Sequence, residues 1–542
     1  MDENLTGEVR IREASDTDAS RIVELFRDIY GSGYVHPRFY DEREIRRMVF
    51  DEDTLVLVAE DSKADRIVGS ASVLFEMGAY SDLVGEFGRL LVHPDWRGGG
   101  VGTRLMGERL ARVGGRLHVA FAEVRVVTGH SARISEKHGF VPVGVLPQKL
   151  VFGGSREHCA FLVKHFGEAL ALRKNHPRII PEAHHLAELA LTTVGLSPDV
   201  VIDEDSASYP TEVAFDLERL SDQGYAALLR IERGRVRNRE VFGPQRLHYG
   251  LSRLAASRSD YLVAREDGRI VGALGYLRDE VERNVRVFEV IHTQESAIRF
   301  LFEALERLCL QERVATVEVD VSAHAPRMQR TLLELGYLPN AYVPAMSFHD
   351  VERLDVVKMC RLFGDLLDLP FEAPEATLAV GRFVLAQFAT RKMLPRLARA
   401  MDRLDICREL TQEQSARLLG EFTSRTFQAG ERVFEQGGAP EHMILILEGS
   451  AIVSIDGEPV GRGGPGETLG EVSFLNACSH SASAVAETRM DVGALGRGSL
   501  QSLVRRRPDI GTVVYRNLAR GLGQKLRRAD LGVAARPGSE RA

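Results

Sequence analysis

The sequence predicts an α/β (α+β) fold in two tandem copies, followed by a region of short strands, and three observations carry the prediction. A strand, a glycine-dense turn and a helix start follow one another in Val92-His93-Pro94-Asp95-Trp96-Arg97-Gly98-Gly99-Gly100-Val101-Gly102-Thr103-Arg104-Leu105-Met106. Landmarks of this first region recur in order roughly two hundred residues later. From about Ile406 the pattern changes to short strands separated by glycine turns. At 542 residues the chain has room for about three or four domains, each with its own core.

Composition narrows the class. Cys159, Cys309, Cys360, Cys407 and Cys478 are odd in number, scattered, and outside CxxC or His-rich spacings, so they read as buried thiols in a reducing compartment with no metal site. The start Met1-Asp2-Glu3-Asn4 is acidic rather than basic, and no apolar run approaches the ~18 residues of a membrane span. The expectation is a bacterial-type cytoplasmic enzyme with no membrane partner. A net charge of -7 gives no overall nucleic-acid footprint. The local basic run Arg505, Arg506, Arg507, Arg516, Arg520, Lys525, Arg527 and Arg528 reads as a solvated helix face.

In the glycine turn, Gly98, Gly99, Gly100 and Gly102 remove Cβ atoms where backbone N–H groups would approach an anion, and the helix beginning near Val101 adds its positive dipole end. Such a run by itself is equally a plain turn. Its flanks are more specific. Glu86-Phe87-Gly88-Arg89-Leu90-Leu91-Val92 precedes it, and a helix with Leu105, Leu110 and Val113 follows. Here the chain resembles the GNAT (GCN-five-related N-acetyltransferase) superfamily, whose Arg/Gln-x-x-Gly-x-Gly/Ala signature is met by Arg97, Gly100 and Gly102. Downstream, Ser131-Ala132-Arg133-Ile134-Ser135-Glu136-Lys137-His138-Gly139-Phe140 matches the family's later helix and terminal Gly-Phe. Upstream, Val9-Arg10-Ile11-Arg12-Glu13-Ala14, Leu55-Val56-Leu57-Val58-Ala59-Glu60 and Arg66-Ile67-Val68-Gly69 match its opening strands, so the resemblance covers residues 7–163.

The resemblance implies direct attack of an amine on acetyl-CoA, without metal or covalent intermediate. The backbone of Leu91 and Val92 would bond the pantetheine arm and face the developing oxyanion, and Arg97, Gly98, Gly99, Gly100, Val101, Gly102 and Thr103 would hold the pyrophosphate. Glu86 stands where protein-acetylating members supply a general base. Because it lies six residues before Val92, period two is expected to put both side chains on one face. Glu123, on the next strand, is the reserve candidate. The chain departs from the family at the general acid, since the expected tyrosine is Ser135. Tyr30, Tyr34 and Tyr40 are candidates for the acceptor cleft, for the acid, or for packing.

The repeat supplies the second copy. Arg66-Ile67-Val68-Gly69 returns as Arg269-Ile270-Val271-Gly272, and Gly139-Phe140-Val141-Pro142-Val143-Gly144-Val145-Leu146-Pro147 returns as Gly336-Tyr337-Leu338-Pro339-Asn340-Ala341-Tyr342-Val343-Pro344. At the phosphate turn the second copy reads Val290-Ile291-His292-Thr293-Gln294-Glu295-Ser296-Ala297, shorter, without glycine and with an acid that would repel pyrophosphate. Its expected role is to cover the first copy or to shape an acceptor cleft.

The expected order is a GNAT domain over 1–165, a helical linker over 166–210 with a helix over Glu182 to Thr193, a degenerate GNAT-like domain over 211–355, and a helical linker over 356–405. A regulatory domain over 406–530 and a disordered tail over 531–542 follow. Phe427 to Gly437 and Met443 to Val453 look like the jelly-roll of cyclic-nucleotide-binding domains. In that family's cassette a Glu holds ribose and an Arg holds the cyclic phosphate. Here Gly470 and Glu471 keep the first position and Ser481 and Ser483 follow, but the Arg position is His480. Replacing a permanent guanidinium by an imidazole would weaken binding about tenfold or more. The last helix, with Val514, Leu518, Leu522 and Leu526, would either pair two copies as a homodimer or dock on its own roll. A DNA-binding helix-turn-helix is not expected after it. The first reading is an acetyl-CoA-dependent N-acetyltransferase acting on a protein lysine or a small amine, with a cyclic nucleotide as effector. The other is a non-enzymatic adaptor that binds acetyl-CoA as a signal.

Overall fold

Residues 9–34, 36–51, 53–76, 83–210, 214–220, 240–242, 258–364, 366–390 and 404–534 are described by a computed structural model, which divides into two units, Met1–Leu385 and Ala386–Ala542. The first unit opens with β1 (Val9–Glu13), α1 (Ala19–Tyr30), α2 (Glu42–Phe50), β2 (Thr54–Asp61), β3 (Arg66–Glu76) and β4 (Val84–Val92). It continues through α3 (Val101–Val113), β5 (Val119–Arg125), α4 (His130–Lys137), β6 (Val141–Phe152) and β7 (Ser155–His165). The entry to α1 is fixed by charge: Arg12 bonds Asp18 at 2.6 Å and Glu60 at 3.0 Å, and the guanidinium holds the buried Asp18 carboxyl down at about 2.

A short parallel pair, β8 (Arg178–Ile179) and β9 (Val201–Ile202), flanks α5 (Pro181–Thr193), which begins one residue before the helix expected from sequence. Pro181 at its first turn has no N–H to leave unpaired. Then come β10 (Asp216–Leu220), β11 (Val241–Phe242), β12 (Arg258–Glu266), β13 (Arg269–Asp279), β14 (Asn284–His292), β15 (Thr316–Ser322), β16 (Leu338–His349) and β17 (Glu352–Leu362). The helices Ser296–Gln311 and Pro326–Glu334 lie between them.

One sheet runs through the unit in the order β1-β2-β3-β4-β5-β7-β6-β16-β17-β15-β14-β13-β12-β10. From β16 onward the order retraces the first half backwards: β16 takes the place of β6, β15 that of β5, β13 that of β3. Among the described residues of this sheet, each half has one parallel pair, β4 with β5 and β14 with β15. The repeated landmarks fall on matching features. The two Arg-Ile-Val-Gly segments open β3 and β13, and Gly139 and Gly336 both turn at positive φ, +80° and +86°. The two halves join where Gly144 pairs with Ala341. A Cβ on Gly144 would sit 2.1 Å from that of Ala341, so only glycine allows the strands this close.

Three sequence expectations change. The boundary at 355 cuts through β17, which pairs with both β15 and β16; buried Leu354, Val356, Val357, Met359 and Cys360 make it a strand covered on both faces rather than the start of a helical linker. The last helix runs from Pro508 to Ala534, past the expected start of the tail at 531. Four cysteines are buried and free as expected, but Cys478 is exposed.

The second unit folds its strands into two four-stranded sheets. One has the order β18 (Phe422–Phe427), β25 (Met490–Gly496), β20 (His442–Glu448), β23 (Thr468–Leu469). The other has β19 (Arg432–Phe434), β24 (Ser483–Ala486), β21 (Ala451–Ile455), β22 (Glu458–Gly463). This is a jelly-roll sandwich. Val514 and Leu518 of the last helix are buried with Ile406, Leu419, Phe422 and Leu495, so this part of the apolar stripe docks on its own roll. Leu526 is 67% exposed.

Candidate functional site

The cofactor end of the first half is built by strands that part. β4 and β5 pair in parallel only from Val84↔Val119 to Glu86↔Phe121, although both continue beyond. On its other side β4 carries a bulge: Ser70 faces Leu91 but Ser72 faces Gly88, so β4 holds one extra residue, and Arg89 turns at φ +54°. The extra residue breaks period two. Glu86, opposite Leu74, and Val92, opposite Gly69, therefore stand on opposite faces, which corrects the expectation that they share one. Val92 and Phe87 pack toward α3, and Glu86 looks the other way with Leu91, which is buried against α1 and α2.

At the end of β4 the glycine turn is open. Gly98 and Gly100 hold φ of +85° and +77°, with nothing within 4 Å of where a Cβ would lie, so these positions need glycine for backbone conformation. Arg97, Gly98, Gly99 and Gly100 are exposed, Arg97 donates from Nε to the Val92 carbonyl at 3.2 Å, and Val101 starts α3. Gly102 is buried, since a Cβ there would lie 3.1 Å from Ile134; Thr103 is half-buried. The unpaired N–H groups of a helix start thus face an open turn, an arrangement suited to an anion.

Glu86 is a quarter exposed and its Oε1 is 3.2 Å from Arg89 Nη2. Around it stand Tyr34 and Arg38, whose titration senses both Glu86 and Arg89. Burial pushes the Tyr34 hydroxyl up to about 12. Tyr30 and Tyr34 lie in an aromatic cluster with Phe26, Phe39 and Phe152, and the Tyr40 hydroxyl accepts from the Tyr34 N–H at 3.0 Å, so all three tyrosines at least pack the wall of this cleft. Ser135 is 1% exposed inside α4. Arg38 and Arg89 carry no signal in the sequence: Arg38 comes from the helical turn Pro37–Tyr40, and Arg89 lies within the bulge.

Residues of the second half touch this side of the first. His36 lies 3.5 Å from Glu282, and Arg156 donates to the Glu282 carbonyl at 2.8 Å. Glu123 is held by Lys149 at 2.8 Å, and the same ammonium lies 3.3 Å from Glu318 of β15. Burial raises the Glu123 carboxyl despite Lys149, whereas Lys149 and Lys358 hold the buried Glu318 below the usual carboxylate range. Glu123 is thus already engaged by a cation. In the second half, the turn after β14 is Thr293-Gln294-Glu295, with Glu295 bound by Arg327 at 3.0 Å. The gap beyond the last parallel pair there, Val287↔Val319, is taken by β11, which pairs Val241 with Val321 and Phe242 with Asp320.

In the second unit, Gly470 turns at φ +76° into the short helix Glu471–Asn476. Glu471 is 5% exposed; its Oε1 lies 2.8 Å from Lys525 on the last helix, and its Oε2 has no hydrogen-bond partner among the described residues. The His480 ring stacks on Phe434, with centroids 4.2 Å apart and planes within 15°, and burial lowers its pKa, so it is neutral at pH 7. Ser483 Oγ accepts from the Gln436 N–H at 3.0 Å, and Ser481 is exposed. The structure therefore gathers Gly470, Glu471 and His480 at one end of the roll. It adds Phe434 and Lys525, partners that sequence spacing does not reveal. Among the described residues no group of three His, Cys, Asp or Glu side chains is placed to hold a metal, and no helix is long and apolar enough to cross a membrane.

The acetyltransferase (GNAT) domain family matches residues 52–142, and the cyclic nucleotide-binding domain family matches residues 424–507. The chain carries a GNAT acetyltransferase domain and a C-terminal cyclic nucleotide-binding domain. It is similar to the cyclic AMP receptor protein of Thermus thermophilus, 34% identical over 127 residues, which is 22% of this chain and 57% of that protein. It is also similar to the cGMP-dependent protein kinase egl-4 of Caenorhabditis elegans, 27% identical over 107 residues, 20% of this chain and 14% of the kinase. The chain thus spans a little over half the length of the first relative and a small part of the second. Among solved structures, the ribosomal-protein-S5-alanine acetyltransferase of Vibrio fischeri is 17% identical, with a TM-score of 0.26, over 29% of this chain and 92% of that one.

Proposed function

We propose that this protein is an acetyl-CoA-dependent N-acetyltransferase with one working cleft, in its first half, and a C-terminal domain that regulates it. The observation that carries the reading is the parting of β4 and β5 after Glu86, with the open glycine turn at one end and the Glu86 carboxylate facing the cleft. The residues present fit the cosubstrate: the exposed turn Arg97 to Gly100 and the helix start that follows it to Thr103 would hold the pyrophosphate, and the strand edge at Leu91 and Val92 would hold the pantetheine arm. Acetyl-CoA supplies the activated acyl group when bound. Glu86 takes the proton that the acceptor amine must lose, a step that for a lysine costs about 4.6 kcal/mol at pH 7.

The second half is read as a diverged copy of the first. Its strand order, matching bulge and parallel pair support this. By register, Arg286 stands where Glu86 does, so this half has neither base nor phosphate turn; it serves as the far wall of the acceptor cleft. A protein lysine or a small amine fits the carboxylates there. The free buried cysteines support a reducing, cytoplasmic setting. A cyclic nucleotide is the proposed effector, with Gly470, Glu471, Ser481 and Ser483 as contacts. The neutral His480 favours weak binding, and together with the buried Ser135 it keeps the acetyl-CoA-binding adaptor as the second reading.

Turnover of acetyl-CoA with a lysine-protein panel and with small amines, with and without cyclic AMP, separates the two. The enzyme reading expects Glu86→Gln to lower kcat by about 10²–10⁴. Tight acetyl-CoA binding without turnover on any acceptor gives the adaptor. Isothermal calorimetry of the full chain with cyclic AMP tests the effector, and His480→Arg is expected to tighten binding about tenfold or more.

A further inference from the structure

Arg109 lies on the buried face of α3, in line with Leu105, Met106 and Val113, and is 1% exposed. An arginine in such a row is costly unless its charge is used. Among the described residues no carboxylate pairs with it; the charged group acting on it is Arg89, of like sign. Burial pulls the guanidinium down to about 9, which leaves it charged at neutral pH. Its Nη1 donates to two backbone carbonyls, Ser72 at 3.1 Å and Gly88 at 3.0 Å, and the guanidinium stands 5.1 Å from the Phe87 ring. Ser72 and Gly88 are the pair at which the bulge of β4 resolves into regular register.

We propose that Arg109 is a positioning residue: by holding both carbonyls at this step it fixes the one-residue bulge of β4 and so sets the face on which Glu86 stands. Without the bulge the pairing of β3 with β4 slips by one residue, Glu86 turns toward α3 and Phe87 turns into the cleft. The other half solves the same problem differently. Its bulge is filled by the Phe288 ring packed over Gly275, and the place of Arg109 is taken by Leu305, four residues after Leu301, which lies under Gly272 as Leu105 lies under Gly69. A cation at this step is therefore particular to the half that keeps the carboxylate.

The inference rests on the reading of Glu86 as the base only for its kinetic arm. The structural arm uses the full chain carrying Cys478→Ser, to remove the exposed thiol, with either Glu86→Cys or Phe87→Cys, and measures labelling by a maleimide. With Arg109 present the thiol at position 86 labels readily and that at 87 does not. Arg109→Met is expected to lower labelling at 86 at least tenfold and to raise it at 87, with Arg109→Lys intermediate. A folded Arg109→Met protein, by circular dichroism, that labels as the parent does overturns the proposal. If that variant does not fold, Arg109→Gln gives the same decision. In the kinetic arm, Arg109→Met lowers kcat, and adding Glu86→Gln lowers it no further; additive losses overturn the proposal. Full turnover in Glu86→Gln alone removes the base assignment and leaves the labelling result to decide the role of Arg109.

Discussion

His158 sits on β7 with its Nδ1 accepting the Gln148 N–H at 3.1 Å, so the ring is neutral, and burial pushes its pKa down to about 4 against the opposing charge of Asp368. Above pH 6.5 the ring is neutral in folded and unfolded chains alike and adds no pH dependence. As pH falls from 6.5 toward 4 the unfolded chain takes up a proton that the folded one refuses, so stability is lost over that window, by up to about 3 kcal/mol. His158→Gln, which keeps an acceptor for Gln148, is expected to flatten the fall in melting temperature between pH 6.5 and 4.5; an unchanged profile removes His158 as its source. Residues tied to backbone conformation, such as Gly98 and Gly100, were legible in the sequence because positive φ singles out glycine. The face of Glu86 was not, because the bulge at Arg89 is one extra residue in a run that otherwise reads as plain strand.

Among elements, the last helix is tied to the roll through Lys525, which donates to the Thr468 carbonyl at 2.5 Å and to Glu471 at 2.8 Å. Removing it strands a nearly buried carboxylate whose second oxygen already lacks a partner. Lys525→Met is therefore expected to cost about 1–3 kcal/mol and to lower the thermal transition of this unit by several degrees, with partial recovery in the double variant with Glu471→Gln. A transition unmoved by Lys525→Met contradicts the tie. The family resemblance found the opening strands, and sequence pattern found α3 and α5. It misread β17, covered on both faces and so without alternation, and it gave no sign of β11, whose two residues owe their place to a gap between distant strands.

Across the first unit the halves are stitched by Lys149, which faces Glu123 from one half and Glu318 from the other. Without that ammonium the half-buried Glu123 and the buried Glu318 carboxylates face each other, and at least one stays protonated in the folded chain. A carboxyl with a raised folded pKa adds stability below its unfolded pKa and loses it as pH rises, so Lys149→Met is expected to cost about 3–5 kcal/mol, more at pH 8 than at pH 5. Melts at both pH values check this, and an equal loss at each contradicts it. The recurring landmarks fall on both sides of this seam, but the seam itself draws on side chains some 170 residues apart and leaves no local pattern. At its centre, Gly144 meets Ala341, the residue holding the same place in the other half. On the proposed reading of the second half as a diverged copy, like positions meet like at this pair, as subunits do in an isologous dimer. On that reading the gap between β14 and β15 is filled by β11 in the second half, the matching gap between β4 and β5 is left open in the first, and acetyl-CoA is expected to saturate hyperbolically at one molecule per chain.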